Sequence, residues 1–286
     1  MTFNCQAGIR TTLPVVERLS RARWASLARS SAKRSAIVTF NFPVRASSNS
    51  SARSFRNLAG CKSGNASYLV PLPEGLSFEQ AVAILVQGLS ARYMVRQSSP
   101  SDKAVVVTAA AGGVGSLLVQ LAKRAGAKQV IALASTMSKL EFCRSLGADF
   151  AFDYTTPDWT NEVKKISNGA GADLIYDSVG GNITKAAVAA LAPGGQLLFA
   201  AVNRFKLEQS DLEKMILNNQ SIKGFALLPL LQPAKLRDDL GELFELARRD
   251  NLNVTIAERF PLDRANEAHR ALESRSTIGK VVLLPA

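Results

Sequence analysis

The sequence predicts an α/β fold, a doubly wound parallel sheet with helices on both faces. Short runs rich in Val, Ile and Leu alternate with helix-length stretches from about residue 104 onward, and that alternation demands crossover connections and parallel strands. A glycine-rich loop joins the first buried strand to an apolar helix. The 286 residues, 47% hydrophobic and 20% charged, can bury a core of the size such a sheet needs.

The elements follow in order. Tyr68–Leu72 reads as a short strand and Pro73-Glu74-Gly75 as a turn. Ser77 and Gln80 have the spacing of a capping box, which opens a helix near Phe78. Ala104–Thr108 is a buried strand, and Gly115–Ala125 the helix after the glycines. Strands at Val130–Leu133, Phe150–Phe152 and Asp173–Asp177 alternate with helices at Ser138–Leu146, Trp159–Ile166 and Ile183–Leu191. Pro193-Gly194 reads as a stop before a strand at Gly195–Val202. Then come a strand at Ser221–Phe225, a helix at Leu236–Arg249, a strand at Val254–Arg259, a helix at Asp263–Glu273 and a last strand at Lys280–Leu284.

Charge is unevenly distributed. Residues 1–66 carry eleven Lys or Arg against a single acid, Glu17, so ten of the twelve net positive charges lie there. The segment is also Ser-rich, and Val15, Val16, Leu19 and Leu27 could share one helix face. This composition fits an organelle transit peptide or a disordered basic tail, or an N-terminus that is not the natural one. A cytoplasmic location is expected, or a mitochondrial or other organellar one if the segment is a transit peptide. No run of about 18 apolar residues is present, so no membrane helix is expected. Cys5, Cys61 and Cys143 are scattered and His269 is the only histidine. Neither a disulfide framework nor a zinc site is expected, and the metal expectation is none. The lone His269 reads as structural, Cys143 as a small buried side chain, and Asp173 and Asp177 as acids beside a cofactor crevice rather than a glycosidase pair.

The sharpest motif is Ala109-Ala110-Ala111-Gly112-Gly113-Val114-Gly115. Glycines permit a tight turn and close approach to a pyrophosphate, whose charge rests on the free N–H groups of a helix start. The spacing is not GxGxxG, so the strand–loop–helix context carries the Rossmann assignment. Domains that prefer NAD place an acid about 20 residues past the first glycine. That window, Ile131–Thr136, has none, while Ser135 and Lys139 offer a hydroxyl and a cation to a 2′-phosphate. The cofactor expected is NADPH.

The chain resembles the medium-chain dehydrogenase/reductase superfamily, in its zinc-free quinone oxidoreductase (zeta-crystallin-like) branch. Carrying the resemblance are Leu72-Pro73-Glu74-Gly75-Leu76-Ser77-Phe78-Glu79, Ala109–Gly115, Val119-Gln120-Leu121-Ala122-Lys123, Lys139-Leu140-Glu141, Leu146-Gly147-Ala148-Asp149, Asp177-Ser178-Val179-Gly180-Gly181, Leu191-Ala192-Pro193-Gly194-Gly195 and Gly279-Lys280-Val281-Val282-Leu283. It implies a connection at residues 67–100, a dinucleotide-binding domain at 101–253, and elements at 254–286 returning to a remnant of a second, barrel-like domain. It also implies that Ser135, Lys139, Tyr154 and Arg275 contact the 2′-phosphate. Ser90 would lie near the nicotinamide, Val179 and Asn203 would lie on loops lining the cofactor, and Gly112, Gly113, Val114 and Gly115 would cradle the pyrophosphate.

The implied activity is hydride transfer from NADPH to a quinone or an α,β-unsaturated carbonyl, with no catalytic residue assigned. Residues 1–66 lack the glycine-rich, acid-containing pattern of the family's N-terminal catalytic segment, so cofactor binding is expected to outlast catalysis. A homodimer paired through Ser221–Phe225 is expected, with Leu227, Leu228, Leu230 and Leu231 over the contact. Two alternatives stand beside this reading: an NADPH-binding remnant without catalysis, and nucleic-acid binding through the basic N-terminal segment.

Overall fold

The computed structural model describes residues 70–285. The readings of residues 1–66, and those of Tyr68 and Leu69, lie outside the described residues. The first described element is α1, Phe78–Gln97, opened by the expected capping box: the Ser77 hydroxyl accepts from the Gln80 N–H, and the Gln80 side chain accepts from the Ser77 N–H, each at 3.1 Å.

Six parallel strands follow: β1 Ala104–Val107, β2 Gln129–Ala134, β3 Phe150–Asp153, β4 Ala172–Asp177, β5 Leu191–Phe199 and β6 Ser221–Gly224. They lie in the order β3-β2-β1-β4-β5-β6, so the chain winds outward from β1 to one edge and then from β4 to the other. This is the doubly wound Rossmann arrangement. The crossover helices are α2 Gly113–Arg124, α3 Met137–Ser145, α4 Trp159–Ile166, α5 Asn182–Ala190 and α6 Gln209–Leu217.

Alternation along the strands sorts the core into two layers, because successive strand side chains point to opposite faces. Val105, Val107, Val130, Ala132 and Tyr176 pack with α1, α2, α3 and the later helix α7, Pro233–Arg248. Val106, Ile131, Leu133, Ile175 and Leu197 pack with Trp159 and Val163 of α4, Ala187 and Val188 of α5 and Met215 of α6. Asp239 of α7, almost fully buried, ties α7 to α1. It accepts from Arg92 Nε at 3.2 Å, the Tyr93 hydroxyl at 2.6 Å and Arg96 at 2.5 Å. Burial alone would raise its pKa, but the Tyr93 hydrogen bond and the Arg96 guanidinium outweigh it and hold the carboxyl below the usual range. After α7 the chain forms β7 Ile256–Pro261, α8 Ala265–Glu273 and β8 Lys280–Leu284, with β7 and β8 paired as a separate parallel ribbon.

Three sequence expectations need correction. Residues 70–72, expected in a strand, pair with no strand among the described residues and run as irregular chain. β5 begins at Leu191, not after Pro193-Gly194. Its register against β4 shifts between Ala172↔Leu191 and Leu174↔Gln196, and the Pro-Gly pair sits in that irregularity, where a missing N–H and a positive φ are tolerated. The strand also ends at Phe199, three residues short of Val202. The helix α6 was not anticipated: it opens on a capping box built from two acids, Glu208 and Asp211, rather than on a hydroxyl.

Candidate functional site: a glycine loop, a cationic end and an apolar cavity

The site lies along the carboxyl ends of the parallel strands. The chain leaves β1 at Thr108 and turns at Ala109, whose φ of 48° is left-handed. The turn is held by the Ala110 N–H on the Leu133 carbonyl and the Gly112 N–H on the Ala109 carbonyl, each at 2.9 Å. Gly112 then stands as the N-cap of α2 with no side-chain cap, and the first turn contains no acid. The amides of Gly113, Val114 and Gly115 therefore face outward with no carbonyl one turn behind them. Gly115 brings α2 onto the loop: a Cβ there would lie 2.3 Å from the Ala109 oxygen and 2.7 Å from Ala110 Cα. A close-approach backbone cradle with free amides fits a pyrophosphate.

Beyond β2 the second part of the site assembles. Thr136 caps α3 by accepting from the Lys139 N–H, which sets Lys139 on the first turn. The Lys139 ammonium donates to the carbonyl of Arg275 at 2.5 Å, and Arg275, at φ 55°, is exposed. Tyr154 follows β3, its N–H on the Ala134 carbonyl at 3.1 Å, next to Ser135. Ser135 and Tyr154 thus follow the carboxyl ends of β2 and β3, and the Lys139 ammonium reaches the Arg275 backbone. A hydroxyl, a phenol and cationic side chains are groups that suit a phosphate monoester.

The third part is a cavity of about 540 Å³ lined by Ser90 and Met94 of α1, Val114 of the loop, Ser178 after β4, Ala200 and Val202 after β5, and the Phe225–Pro229 stretch after β6. No lining residue is ionisable. Val179 and Asn203 lie on two of these loops, but their neighbours Ser178 and Val202 contribute the lining side chains. The loop after β4 is set by Asp177, fully buried. Its carboxylate accepts from the Val179 N–H at 2.9 Å, the Gly180 N–H at 3.2 Å, the Thr108 hydroxyl at 3.1 Å and the Thr184 hydroxyl at 2.6 Å. Asp173 corrects the sequence reading: it sits near the start of β4, away from the crevice, and accepts from the Ala104 N–H at 2.8 Å.

Sequence reasoning missed the positioning role of Asp177 and the contribution of the Phe225–Pro229 stretch. An acid directly before Ser178-Val179-Gly180 is itself a signal, since short carboxylates bond amides two residues on. His269 is exposed on α8. Cys143 is buried in α3, and burial pushes its thiol up to about 12. Among the described residues no cluster of three or more His, Cys, Asp or Glu could hold a metal ion, and none of the helices is long and apolar enough to cross a membrane.

Residues 113–245 match the zinc-binding dehydrogenase family; that stretch contains Cys143 as its one cysteine and no histidine. The quinone oxidoreductase of Pseudomonas aeruginosa is 34% identical over 226 residues, 76% of this chain and 68% of its own length. The 2-haloacrylate reductase of a Burkholderia species is 31% identical over 229 residues, 76% of this chain and 67% of its own. Among solved structures, the quinone oxidoreductase of Escherichia coli complexed with NADPH superposes with a TM-score of 0.71 at 29% identity, over 77% of this chain and 69% of that one. The chain thus spans about two thirds of the length of these relatives.

Proposed function

Since this chain belongs to the quinone oxidoreductase family of the medium-chain dehydrogenase/reductase superfamily, we propose that it is an NADPH-dependent oxidoreductase acting on a quinone or an α,β-unsaturated carbonyl. The observation that carries the substrate class is the cavity beside the glycine loop, which offers two serines and otherwise only apolar walls. An uncharged planar acceptor loses little on entering such a space, whereas a charged one would lose its hydration with no partner in return.

The residues divide the work of binding. The amides of Gly113, Val114 and Gly115 take the pyrophosphate, and Ser135, Lys139, Tyr154 and Arg275 take the 2′-phosphate. Ser90, Val114 and Val202 border the nicotinamide, with Val179 and Asn203 on the loops around it. Bound NADPH supplies a hydride. The cavity walls orient the acceptor and exclude water from the transfer itself, which is most of what a protein adds to cofactor chemistry. A quinone oxygen that becomes anionic can take its proton from solvent, so an uncharged cavity meets the reaction's needs. Hydride transfer to such an acceptor needs no zinc, and among the described residues no cluster of three or more His, Cys, Asp or Glu could hold one.

Stopped-flow oxidation of NADPH by a small benzoquinone, with a cyclic enone in parallel, tests the reading. Turnover on the order of 10 per second with either acceptor supports it. Tight NADPH binding with no oxidation by either acceptor would instead favour a cofactor-binding protein without catalysis.

A further inference from the structure

The cavity beside the glycine loop has a buried floor and an exposed rim, and the two offer different chemistry. Ser90, Met94 and Leu227 of the floor are all buried. The rim follows the stretch after β6. Leu228 there is 55% exposed, and its neighbours Ala226 and Pro229 are exposed too. Val202, from the loop after β5, is 73% exposed. A single exposed leucine is ordinary on a protein surface. Several exposed apolar side chains lining one cavity are a different matter, because such patches mark ligand grooves.

The rim backbone adds few donors of its own. Leu228–Leu230 form one 3-10 turn, with the Leu230 N–H on the Leu227 carbonyl at 3.0 Å and the Leu231 N–H on the Leu228 carbonyl at 3.3 Å. Pro229 has no N–H at all. The hydroxyls of the cavity lie elsewhere. Ser90, on the floor, makes no side-chain hydrogen bond among the described residues, and the Ser178 hydroxyl reaches only the Thr108 carbonyl, at 3.5 Å. A carbonyl oxygen thus finds donors in the cavity, whereas a substituent on the rim finds apolar side chains. A polar substituent there keeps its water and gains nothing, while an alkyl group gains by leaving water. Size points the same way. The cavity of about 540 Å³ is on the scale that takes a drug-sized ligand. A nicotinamide ring and a bare quinone ring on the floor leave the rim over.

We propose that the acceptor reduced by this protein carries an alkyl or prenyl tail beside its reactive carbonyl, and that the tail lies along Ala226, Leu228 and Pro229. The proposal rests on the oxidoreductase reading above and narrows its substrate class. Full burial of a methylene is worth about fourfold in affinity. A rim that covers one side of the tail should give about twofold per carbon, until the tail outruns the strip.

The test uses the full chain and a series of para-benzoquinones whose linear alkyl substituent runs from none to decyl. Stopped-flow oxidation of NADPH gives kcat/KM for each, and calorimetry with the oxidised cofactor present gives affinity even where no hydride moves. Both should rise by about twofold per carbon over the first few carbons. Leu228→Ser should flatten that slope and Leu228→Met should keep it. Leu272→Ser, an equally exposed leucine on α8 and remote in sequence from the cavity-lining residues, should leave the slope alone. A flat series in the parent protein overturns the proposal, as it would if a polypeptide rather than a tail covered the rim. A slope that survives Leu228→Ser, or that Leu272→Ser abolishes equally, overturns it too, because the tail would then be adsorbing elsewhere. Failure of the functional reading is separate: it is read on the unsubstituted quinone and enone, whereas the proposal is read on the slope of binding.

Discussion

Replacing Gly115 with alanine strikes the loop where it has no room to yield. The added Cβ would stand 2.3 Å from the Ala109 oxygen, 2.7 Å from Ala110 Cα and 2.9 Å from the Ala109 carbonyl carbon. Comfortable separation between such atoms is about 3.5–4.0 Å, and all three belong to backbone. That backbone is pinned by the Ala110 and Gly112 hydrogen bonds, so no side chain can swing aside. The first turn of α2 must retreat instead. Overpacking of this kind costs about 1–3 kcal/mol, and rigid backbone on every side argues for the upper end. At about 2–4 °C per kcal/mol for a folded unit of this size, Tm should fall by roughly 6–12 °C. The retreat also moves the amides of Gly113 and Val114, so NADPH affinity should fall by at least about tenfold. Thermal unfolding and fluorescence titration read the two effects. Gly241→Ala is the control: its Cβ meets nothing within 4 Å inside α7, so it should add about 0.5–1 kcal/mol of stability and leave affinity alone. Parent-like Tm and affinity in Gly115→Ala would refute the account of the loop.

Three further outcomes are expected. Lys139→Ala should weaken NADPH by about tenfold and leave NADH nearly unchanged in calorimetry, because the role proposed for the lysine is confined to the 2′-phosphate; equal losses for both cofactors would contradict that proposal. Asp239→Asn should cost about 2–3 kcal/mol, less than a fully enclosed pair because Arg96 remains half-exposed. Since the folded carboxyl is held low, its stabilisation is present above the unfolded value of about 4 and is lost as pH falls through the folded one; identical acid profiles of Tm for parent and variant would count against this. We also propose a homodimer formed through β6, which lies at the sheet edge, with the exposed Ile216, Leu217 and Leu228 nearby in sequence. Leu227 is already spent in the monomer's core, and light scattering that reports a monomer at micromolar concentration would dispose of the dimer.

How much could be read in advance depends on how far apart the interacting residues lie. The sheet was readable because each strand and helix announces itself within a few residues, through apolar runs and the Ser77–Gln80 box. The Pro193-Gly194 pair misled for the same reason: read locally it stops a strand, but in the sheet it sits in an irregularity of β5 against β4. The helix Gln209–Leu217 escaped because its cap uses Glu208 and Asp211, and its exposed Leu212, Ile216 and Leu217 blur the amphipathic pattern. Within the site, the glycine loop and the acid-free window after β2 are local and were visible. The buried Asp177 network and the Phe225–Pro229 wall depend on loops from several strands meeting in space. Lys280 is the extreme case. Nothing near it in sequence separates it from a strand-start lysine, and only the Gly112–Gly279 bridge sets its stem over Gly113. Two glycines far apart in the chain therefore serve a single arrangement: Gly279 admits the turn that opens β8, and Gly113 leaves the space that the Lys280 stem occupies.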